Sequence, residues 1–180
     1  REARIPSISF SCGDSGFEEM RRRMPEEEPT EAGGVRRWSD PETGLAVTLR
    51  IRSFENFTAV DWVCELENRG TEDTPVISEI MPLDLRVPIP PGERLRLHHA
   101  NGSSCRMDDF LPRTADIPPG AAQLLSAAGG RSSNGTLPFM NLQRSGCGAV
   151  LAVGWSGQWK ASFTRDEREL RIAAGMERTR

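Results

Sequence analysis

The sequence predicts an all-β protein, a large antiparallel β-sandwich with one short helix near the N-terminus. Apolar residues recur at every second position in several separate stretches, which is the period of a half-buried strand. Clusters such as NRGTEDTP and PIPPGE separate these stretches and are typical of turns. A helical period is convincing in one place only. This combination favours a meander of antiparallel strands.

The first predicted strands lie between residues 45 and 99. GLAVTLRIR and AVDWVCELE alternate apolar and polar positions, and RLRLHH does so over a shorter stretch. ISEIMPLDLRV is predicted to form one strand. The positions expected to face a core in the first two stretches are Leu45, Val47, Leu49, Ile51, Val60, Trp62, Cys64 and Leu66.

The C-terminal third repeats the pattern. AVLAV (residues 149–153) is apolar throughout, which predicts a strand covered on both faces. Ser156 and Gly157, within GWSGQW, predict a two-residue hairpin turn. QWKASFTR and LRIAAGM then alternate again, and the apolar positions in step are Trp159, Ala161, Phe163, Leu170, Ile172 and Ala174.

One helix is predicted in SGFEEMRRRM. Ser15 and Glu18 have the spacing of a capping box. Phe17, Met20 and Met24 fall on one stripe, which is expected to face the core.

Length and composition fit a single domain over residues 1–180. The net charge of -3 offers no basic patch, so neither nucleic acid nor a membrane is expected as a partner. The chain begins with neither Met nor a signal-peptide pattern, and we expect a trimmed or processed fragment. Both the bacterial cytoplasm and secretion stay open as locations.

The sequence contains no motif for binding a metal or a cofactor. The four cysteines, Cys12, Cys64, Cys105 and Cys147, form no C-x-x-C pair, so free buried thiols are expected. No phosphate-binding loop is present. His98 and His99 are neighbours on a predicted strand and point to opposite faces, so they cannot share a metal. His99 is in step with Leu95 and Leu97 and is expected to be a hydrogen-bonded core imidazole.

Nor does the sequence match the catalytic motif of a serine hydrolase or the carboxylate pair of a glycosidase. GWSG and GGRSSNG miss the G-x-S-x-G spacing of a serine hydrolase, and neither leads into a helix. Asp108 and Asp109 are adjacent on an extended chain, where their carboxylates diverge, so they do not form a glycosidase pair. Asp109 is expected to accept hydrogen bonds from backbone or arginine donors in its loop.

Among the functions considered, the residue types fit sugar binding. Sugars stack on aromatic faces, and planar polar side chains hydrogen-bond their hydroxyls. Trp62 is expected in a core, while Trp155 and Trp159 flank the predicted turn, where core packing and an exposed platform both stay open. The polar candidates are Asn101, Asp109, Arg131 and Asn134, each of which can equally stabilise a loop.

Several stretches in a fixed order resemble one known family. They are WSDPETGL, FTAVDWVCELENRGTEDTP, LHHANGSSCRMDDFLP, GGRSSNGTLPFMNL and GWSGQW followed by AGME. The chain resembles, from about Phe10 to Glu177, the N-terminal domain of melibiase-type α-galactosidases of glycoside hydrolase family thirty-six and their relatives. The most specific pieces are GGRSSNGTLPF and GWSGQW.

The resemblance implies a β-supersandwich similar to galactose mutarotase, placed before a catalytic (β/α)-barrel of the same polypeptide. It implies retaining hydrolysis of terminal α-galactosides, without a cofactor, by two aspartates of that barrel, which have no counterpart in this chain. Relatives continue through more sandwich strands, so an open sheet edge is expected here. By position within the matching blocks, Asp109, Arg131 and Trp155 are candidates for the sugar entrance, and Trp159, in the same block as Trp155, is a fourth candidate for substrate binding.

Three functional hypotheses follow. The first is a non-catalytic domain that packs on the barrel and shapes its sugar-binding entrance. The second is a stand-alone carbohydrate-binding module that binds galactosides or other oligosaccharides. The third is a structural or oligomerisation domain, which predicts buried indoles and an exposed apolar docking face.

Overall fold

The computed structural model describes residues 7–24, 26–27 and 34–176. Strands dominate these residues, as predicted, and the short helix α1 spans Phe17–Arg21. The strands are β1 Ser9–Cys12, β2 Ser15–Gly16, β3 Glu26–Glu27, β4 Val35–Ser39, β5 Leu45–Ser53, β6 Val60–Asn68, β7 Ile77–Met81, β8 Leu83–Pro88, β9 Arg96–Ala100, β10 Pro112–Asp116, β11 Ala122–Ala127, β12 Phe139–Arg144, β13 Cys147–Ala152, β14 Trp159–Arg165 and β15 Glu169–Gly175.

The chain divides into two compact units, Arg1–Pro82 and Leu83–Arg180, called here the N-terminal and C-terminal units. The division falls inside ISEIMPLDLRV, so the prediction of one strand there is wrong. Pro82 has no N–H to donate to a ladder. β7 therefore ends at Met81 and pairs with β1, while β8 begins at Leu83 and pairs with β15. That residues 1–180 act as one domain stays a prediction.

The described residues of the N-terminal unit form two antiparallel sheets, in the orders β2-β1-β7 and β3-β4-β5-β6. Both sheets contribute to one core, as in a sandwich. The predicted core positions of β5 are confirmed for Leu45, Val47 and Leu49, which are fully buried. The remaining buried members of this core are Ile8, Phe10, Cys12, Phe17, Met20, Met24 and Trp38.

Helix α1 buries Phe17 and Met20 of the predicted stripe, and Met24, which follows the helix, also lies in the core. The predicted capping box is wrong. Gly16 occupies the N-cap with no side-chain hydrogen bond. Ser15 instead belongs to β2, where it pairs with Cys12 across a tight turn. The pairing with β1 therefore determines the conformation of Ser15.

Up to residue 176, the C-terminal unit also forms two antiparallel sheets, in the orders β10-β9-β12-β13 and β11-β14-β15-β8. Trp159 and Phe163 of β14 are fully buried, as the alternation predicts, and so are Leu170 and Ile172 of β15. The other buried members of this core, drawn from both sheets and their loops, are Ile89, Leu95, Leu97, Ile117, Leu125, Ala127, Met140, Leu142, Ala161 and Ala174.

Two predictions for the segment around GWSGQW are wrong. Ser156 and Gly157 do not turn a hairpin, because β13 pairs with β12 and β14 pairs with β11 and β15. The segment connects one sheet of the unit to the other. AVLAV is not covered on both faces in this chain either, since β13 is an edge strand and Val150 is 77% exposed.

All four cysteines are free thiols, as predicted, but their predicted burial holds only in part. Cys12 is buried and Cys64 is partly buried. Burial, with a smaller contribution from the Glu65 charge, raises the pKa of Cys64 to about 11, which keeps this thiol protonated. Cys105 and Cys147 are exposed because they lie in a surface loop and in the edge strand β13.

Candidate functional site

Two loops of the C-terminal unit lie against each other and bring most of the predicted site residues together. The first, called the DDF loop, comprises residues 101–111; the second, called the GGR loop, comprises residues 129–135. Backbone hydrogen bonds join them: Gly102 N–H donates to the Gly135 carbonyl at 2.8 Å, and Ser103 N–H donates to the Ser133 carbonyl at 2.7 Å. The two loops therefore behave as one paired surface.

Small and turn-forming residues allow this close approach. A Cβ on Gly102 would lie 1.8 Å from the Ser133 carbonyl oxygen, so no other residue fits there without moving the GGR loop. Asn134 closes the GGR loop at its base, donating from its side-chain amide to the Ala128 carbonyl at 2.9 Å. Gly129, with a φ of +72°, accommodates the turn that this bond closes.

Asp109 acts on its own loop, as predicted. Its Oδ1 accepts the Ser104 N–H at 2.8 Å. That bond, followed by weaker backbone hydrogen bonds from Arg106 and Cys105, holds the pKa of Asp109 below its ordinary value despite an opposing effect of desolvation. Cys105 and the neighbouring Phe110 both adopt left-handed backbone conformations, with φ of +61° and +62°. The carboxylate thus stabilises a strained turn.

A second polar network holds the base of the DDF loop. The Asn101 amide donates to the Asp108 carbonyl at 2.9 Å and to its carboxylate at 3.0 Å. Arg113 Nε donates to Asn101 Oδ1 at 3.1 Å, and its guanidinium lies 3.7 Å from the Asp108 carboxylate. The sequence indicated Asn101 as a candidate but gave no sign of the partner Arg113, which lies on β10.

Arg131 and Trp159 connect the GGR loop to its surroundings. Arg131 Nη2 donates to the Ser103 carbonyl at 3.4 Å, next to the residue that Asp109 holds. The indole N–H of Trp159 donates to the Ser132 carbonyl at 2.6 Å. Trp159 is fully buried, in agreement with the core interpretation. Asp109 and Arg131 therefore act on adjacent residues of one loop, and Trp159 supports the other loop from the core.

Trp155 differs from Trp159 in its environment. Its side chain is 49% exposed, and within the described residues no hydrogen bond joins it to the two loops. A Cβ on Gly157 would lie 2.8 Å from the Trp155 Nε1, so the indole folds back over Gly157. Trp155 thus offers an aromatic surface to solvent at the start of the GWSGQW segment.

Sequence reasoning missed the apolar surface of the DDF loop. Phe110 is 57% exposed, and Met107 and Leu111 are exposed as well. The sequence signal was the apolar pair Phe110-Leu111 directly after Asp109. The structure therefore adds an aromatic ring beside Asp109 to the candidate site.

The two histidines lie near this site without forming part of it. His98 is held on the sheet surface between Gln143 (2.8 Å) and Thr114 (3.2 Å). The prediction of a hydrogen-bonded His99 is wrong at one ring nitrogen, because Nδ1 is buried with no partner among the described residues. Burial, with a smaller effect of the Arg113 charge, lowers the pKa of His99 and favours its neutral form.

A cavity of about 330 Å³ lies at the opposite end of β9. Its lining includes Glu93, Ile117 and Arg165. Arg165 is buried and donates to the carbonyls of Ile117 and Glu93, both at 2.8 Å, so it joins two loops to β14. This arrangement stabilises the fold and involves none of the predicted site residues.

The described residues offer neither a metal site nor a membrane-spanning helix. They contain no group of three or more His, Cys, Asp or Glu side chains placed to hold a metal ion. None of their helices has the length and apolar character needed to cross a membrane.

Comparison with known proteins gives a family match. The model of the glycosyl hydrolase family 36 N-terminal domain matches residues 23–180. Similar solved structures are the GH36 α-galactosidase AgaB of Geobacillus stearothermophilus (TM-score 0.67, 16% identity), AgaA of the same organism (0.66, 16%) and an AgaA variant in complex with raffinose (0.64, 17%). A search among curated proteins found no match.

Each of these structural alignments covers 97% of this chain but only 27% of the other chain. At 16–17% identity the likeness shows the fold. The chain thus spans about a quarter of the length of the α-galactosidases whose fold it shares.

Proposed function

The chain belongs to the glycosyl hydrolase family 36 N-terminal domain family, and we propose that it serves as a non-catalytic domain of an α-galactosidase-like enzyme. In this role it packs on a catalytic barrel of the same polypeptide and shapes the entrance to the sugar-binding site. The proposal rests mainly on the fold match to AgaB and AgaA. The match covers 97% of this chain and 27% of each of those chains. One such structure contains raffinose, which supports an α-galactoside as the substrate class.

The paired loops suit a fixed wall at such an entrance. Their backbones are joined by hydrogen bonds, and side chains from the core and from neighbouring strands hold them in place. A rigid wall limits the entropy lost when a ligand or a second domain packs against it. The polar carbonyls and amides that join the loops are already satisfied, so binding would not have to break them.

The candidate residues have different roles in this proposal. Trp155 and Phe110 are half-exposed aromatic side chains and provide faces on which a sugar or the barrel rim can pack. Asp109 and Arg131 position the DDF loop through Ser104 and Ser103. Trp159, which is fully buried, positions the GGR loop and makes no contact with the sugar.

An activity comparison tests the proposal. The chain 1–180 and the full-length polypeptide that contains it are assayed with an aryl α-galactoside and with raffinose. We expect turnover by the full-length protein and none by the chain alone, because the two catalytic aspartates that the family resemblance implies belong to the barrel. The adjacent pair Asp108 and Asp109 hydrogen-bonds within its own loop instead. Turnover by residues 1–180 that a single substitution within them abolishes would overturn the proposal.

The exposure of Trp155 favours one rival, a self-sufficient carbohydrate-binding module. This rival predicts that galactosides change the tryptophan fluorescence of the chain alone, and that Trp155→Phe removes the change. A flat titration with raffinose and with common glycans excludes the rival and leaves the domain proposal intact. The buried Trp159 serves as an internal reference that a ligand does not reach.

A further inference from the structure

Each of the two paired loops contains an asparagine followed directly by a glycine. These pairs are Asn101-Gly102 in the DDF loop and Asn134-Gly135 in the GGR loop, and no other asparagine of the chain precedes a glycine. In such a pair the backbone nitrogen of the glycine can attack the side-chain Cγ of the asparagine, because no Cβ shields that nitrogen and the reaction is intramolecular. The two pairs have the same local sequence, so any difference in their reactivity comes from the fold.

The fold holds both reacting groups of the Asn101-Gly102 pair. Gly102 is buried, and its N–H donates to the Gly135 carbonyl at 2.8 Å. The Asn101 amide donates to the carbonyl and the carboxylate of Asp108, and its oxygen accepts from Arg113 at 3.1 Å. Attack by the Gly102 nitrogen would therefore have to break several hydrogen bonds at once.

The Asn134-Gly135 pair is held much less firmly. Gly135 is exposed, and its N–H makes no hydrogen bond within the described residues. The space around it is open, since a Cβ there would meet only the Ser126 carbonyl oxygen, at 3.5 Å. The Asn134 side chain is held by one exposed hydrogen bond, to the Ala128 carbonyl at 2.9 Å. A single bond of this kind slows a reaction that must break it by about tenfold at most.

We propose that Asn134 is a site of spontaneous deamidation, whereas the fold protects Asn101. The Gly135 nitrogen loses its proton to solvent and bonds to Cγ of Asn134, and the Cγ–Nδ2 bond breaks with release of ammonia. Water then opens the resulting succinimide at either of its two carbonyls, which leaves aspartate or isoaspartate at position 134. The net reaction consumes water and releases ammonia, and it needs no oxidant or reductant.

The product changes the base of the GGR loop. The Asn134 amide donates to the Ala128 carbonyl, whereas a carboxylate has no N–H and places an oxygen against that carbonyl. Isoaspartate also adds a backbone atom directly before Gly135, whose carbonyl accepts the Gly102 N–H. We therefore expect deamidation to loosen the pairing of the DDF and GGR loops.

Peptide mapping by mass spectrometry tests the proposal on the full-length polypeptide. The protein is incubated in mildly alkaline buffer, once folded and once in guanidinium chloride, where the two pairs should react at similar rates. In the folded protein, Asn134 should react within about tenfold of its rate in denaturant, and Asn101 should react at least about 100-fold more slowly than in denaturant. Equal protection of the two asparagines would overturn the proposal. The readout is the mass at each asparagine and does not depend on enzyme activity.

Hydrogen exchange tests the effect on the loops. Asn134→Asp reproduces one of the two products, and the amides of Gly102 and Ser103, which donate across the loop pair, should then exchange about tenfold faster. The matched control is Asn56→Asp, which adds the same charge at an exposed position between β5 and β6. Unchanged exchange at both amides in Asn134→Asp, or the same acceleration in the control, would overturn the proposed effect on the loops.

Discussion

The indole nitrogen of Trp159 lies 2.6 Å from the carbonyl oxygen of Ser132, which joins the first residue of β14 to the GGR loop. Two motifs that are distant in the sequence, GGRSSNG and GWSGQW, are thus parts of one structure. Since Trp159 is fully buried, the core of the C-terminal unit determines where the paired loops lie.

Trp159→Phe should destabilise the protein. The substitution keeps an aromatic ring in the core but leaves the Ser132 carbonyl without its donor and the site underfilled. The expected loss is about 2 kcal/mol in the free energy of unfolding, measured in urea. Trp155→Phe, at a half-exposed indole, is the control and should change stability by less than about 0.5 kcal/mol. Equal stabilities of the two variants would show that the Trp159–Ser132 contact contributes nothing.

Gly102→Ala should separate the two loops. The added methyl group would meet the Ser133 carbonyl at 1.8 Å, and backbone atoms cannot yield as a side chain can. The expected cost is about 2 kcal/mol or more, read from thermal unfolding. Gly154→Ala is the control, because nothing lies within 4 Å of its Cβ position. An unchanged melting temperature for Gly102→Ala would contradict the close pairing of the DDF and GGR loops.

Gly157→Ala should displace the Trp155 indole without unfolding the protein. The new methyl group would lie 2.8 Å from Nε1, and the half-exposed indole can swing into solvent. Tryptophan emission should shift to longer wavelength, while the free energy of unfolding changes by less than about 0.5 kcal/mol. The same substitution in a Trp155→Phe background should leave emission unchanged. A shift that persists there would mean that another tryptophan responds.

Asp40 should make the N-terminal unit sensitive to acid. Burial alone raises the pKa of this carboxyl, but hydrogen bonds from Thr43 Oγ1 (2.7 Å), Arg23 (3.2 Å) and the Glu42 N–H (3.3 Å) together hold the pKa below its ordinary value. A lowered pKa in the folded state stabilises the protein above the unfolded pKa of about 3.9 and loses that contribution as pH falls through the folded value.

Urea unfolding of Asp40→Asn at neutral pH and below pH 4 checks this prediction. The variant should be less stable than the parent by about 2 kcal/mol at pH 7, and the difference should shrink in acid. Asp116→Asn, an exposed carboxylate paired with Arg96, is the control. A difference for Asp40→Asn that is the same at both pH values would exclude the proposed linkage.

Local alternation predicted the half-buried strands well. β14 buries the expected residues because one of its faces lies on a core, which a period of two indicates directly. β5 buries Leu45, Val47 and Leu49 as expected, but Ala46 and Thr48 on its other face are buried as well. In β6 the prediction is wrong for Val60, which is exposed at the start of the strand. The same pattern could not give the partners of a strand. β8 (residues 83–88) pairs with β15 (residues 169–175), although the two strands are far apart in the sequence. Nothing in either stretch of sequence identifies the other strand as its partner.

The wrong predictions have physical causes. Ser156-Gly157 has the chemistry of a hairpin turn, but the same residues also suit a link between two sheets, and long-range pairing decides between them. AVLAV is apolar throughout, but β13 pairs with β12 alone within the described residues and Val150 is 77% exposed, so an apolar run did not predict burial on both faces. At the candidate site, Asp109 was identified as a loop acceptor, whereas the contact between the two loops depends on Gly102 and was not visible in the sequence.

Kinetics of Trp155→Ala in the full-length protein test the central claim most directly, with raffinose as the substrate. If this domain shapes the entrance without taking part in the chemistry, KM should rise about fivefold, in line with about 1 kcal/mol for a lost aromatic contact, while kcat stays unchanged. Leu124→Ala, another exposed apolar position of the C-terminal unit, should leave both constants unchanged. A KM equal to that of the control, or a loss confined to kcat, would contradict the account.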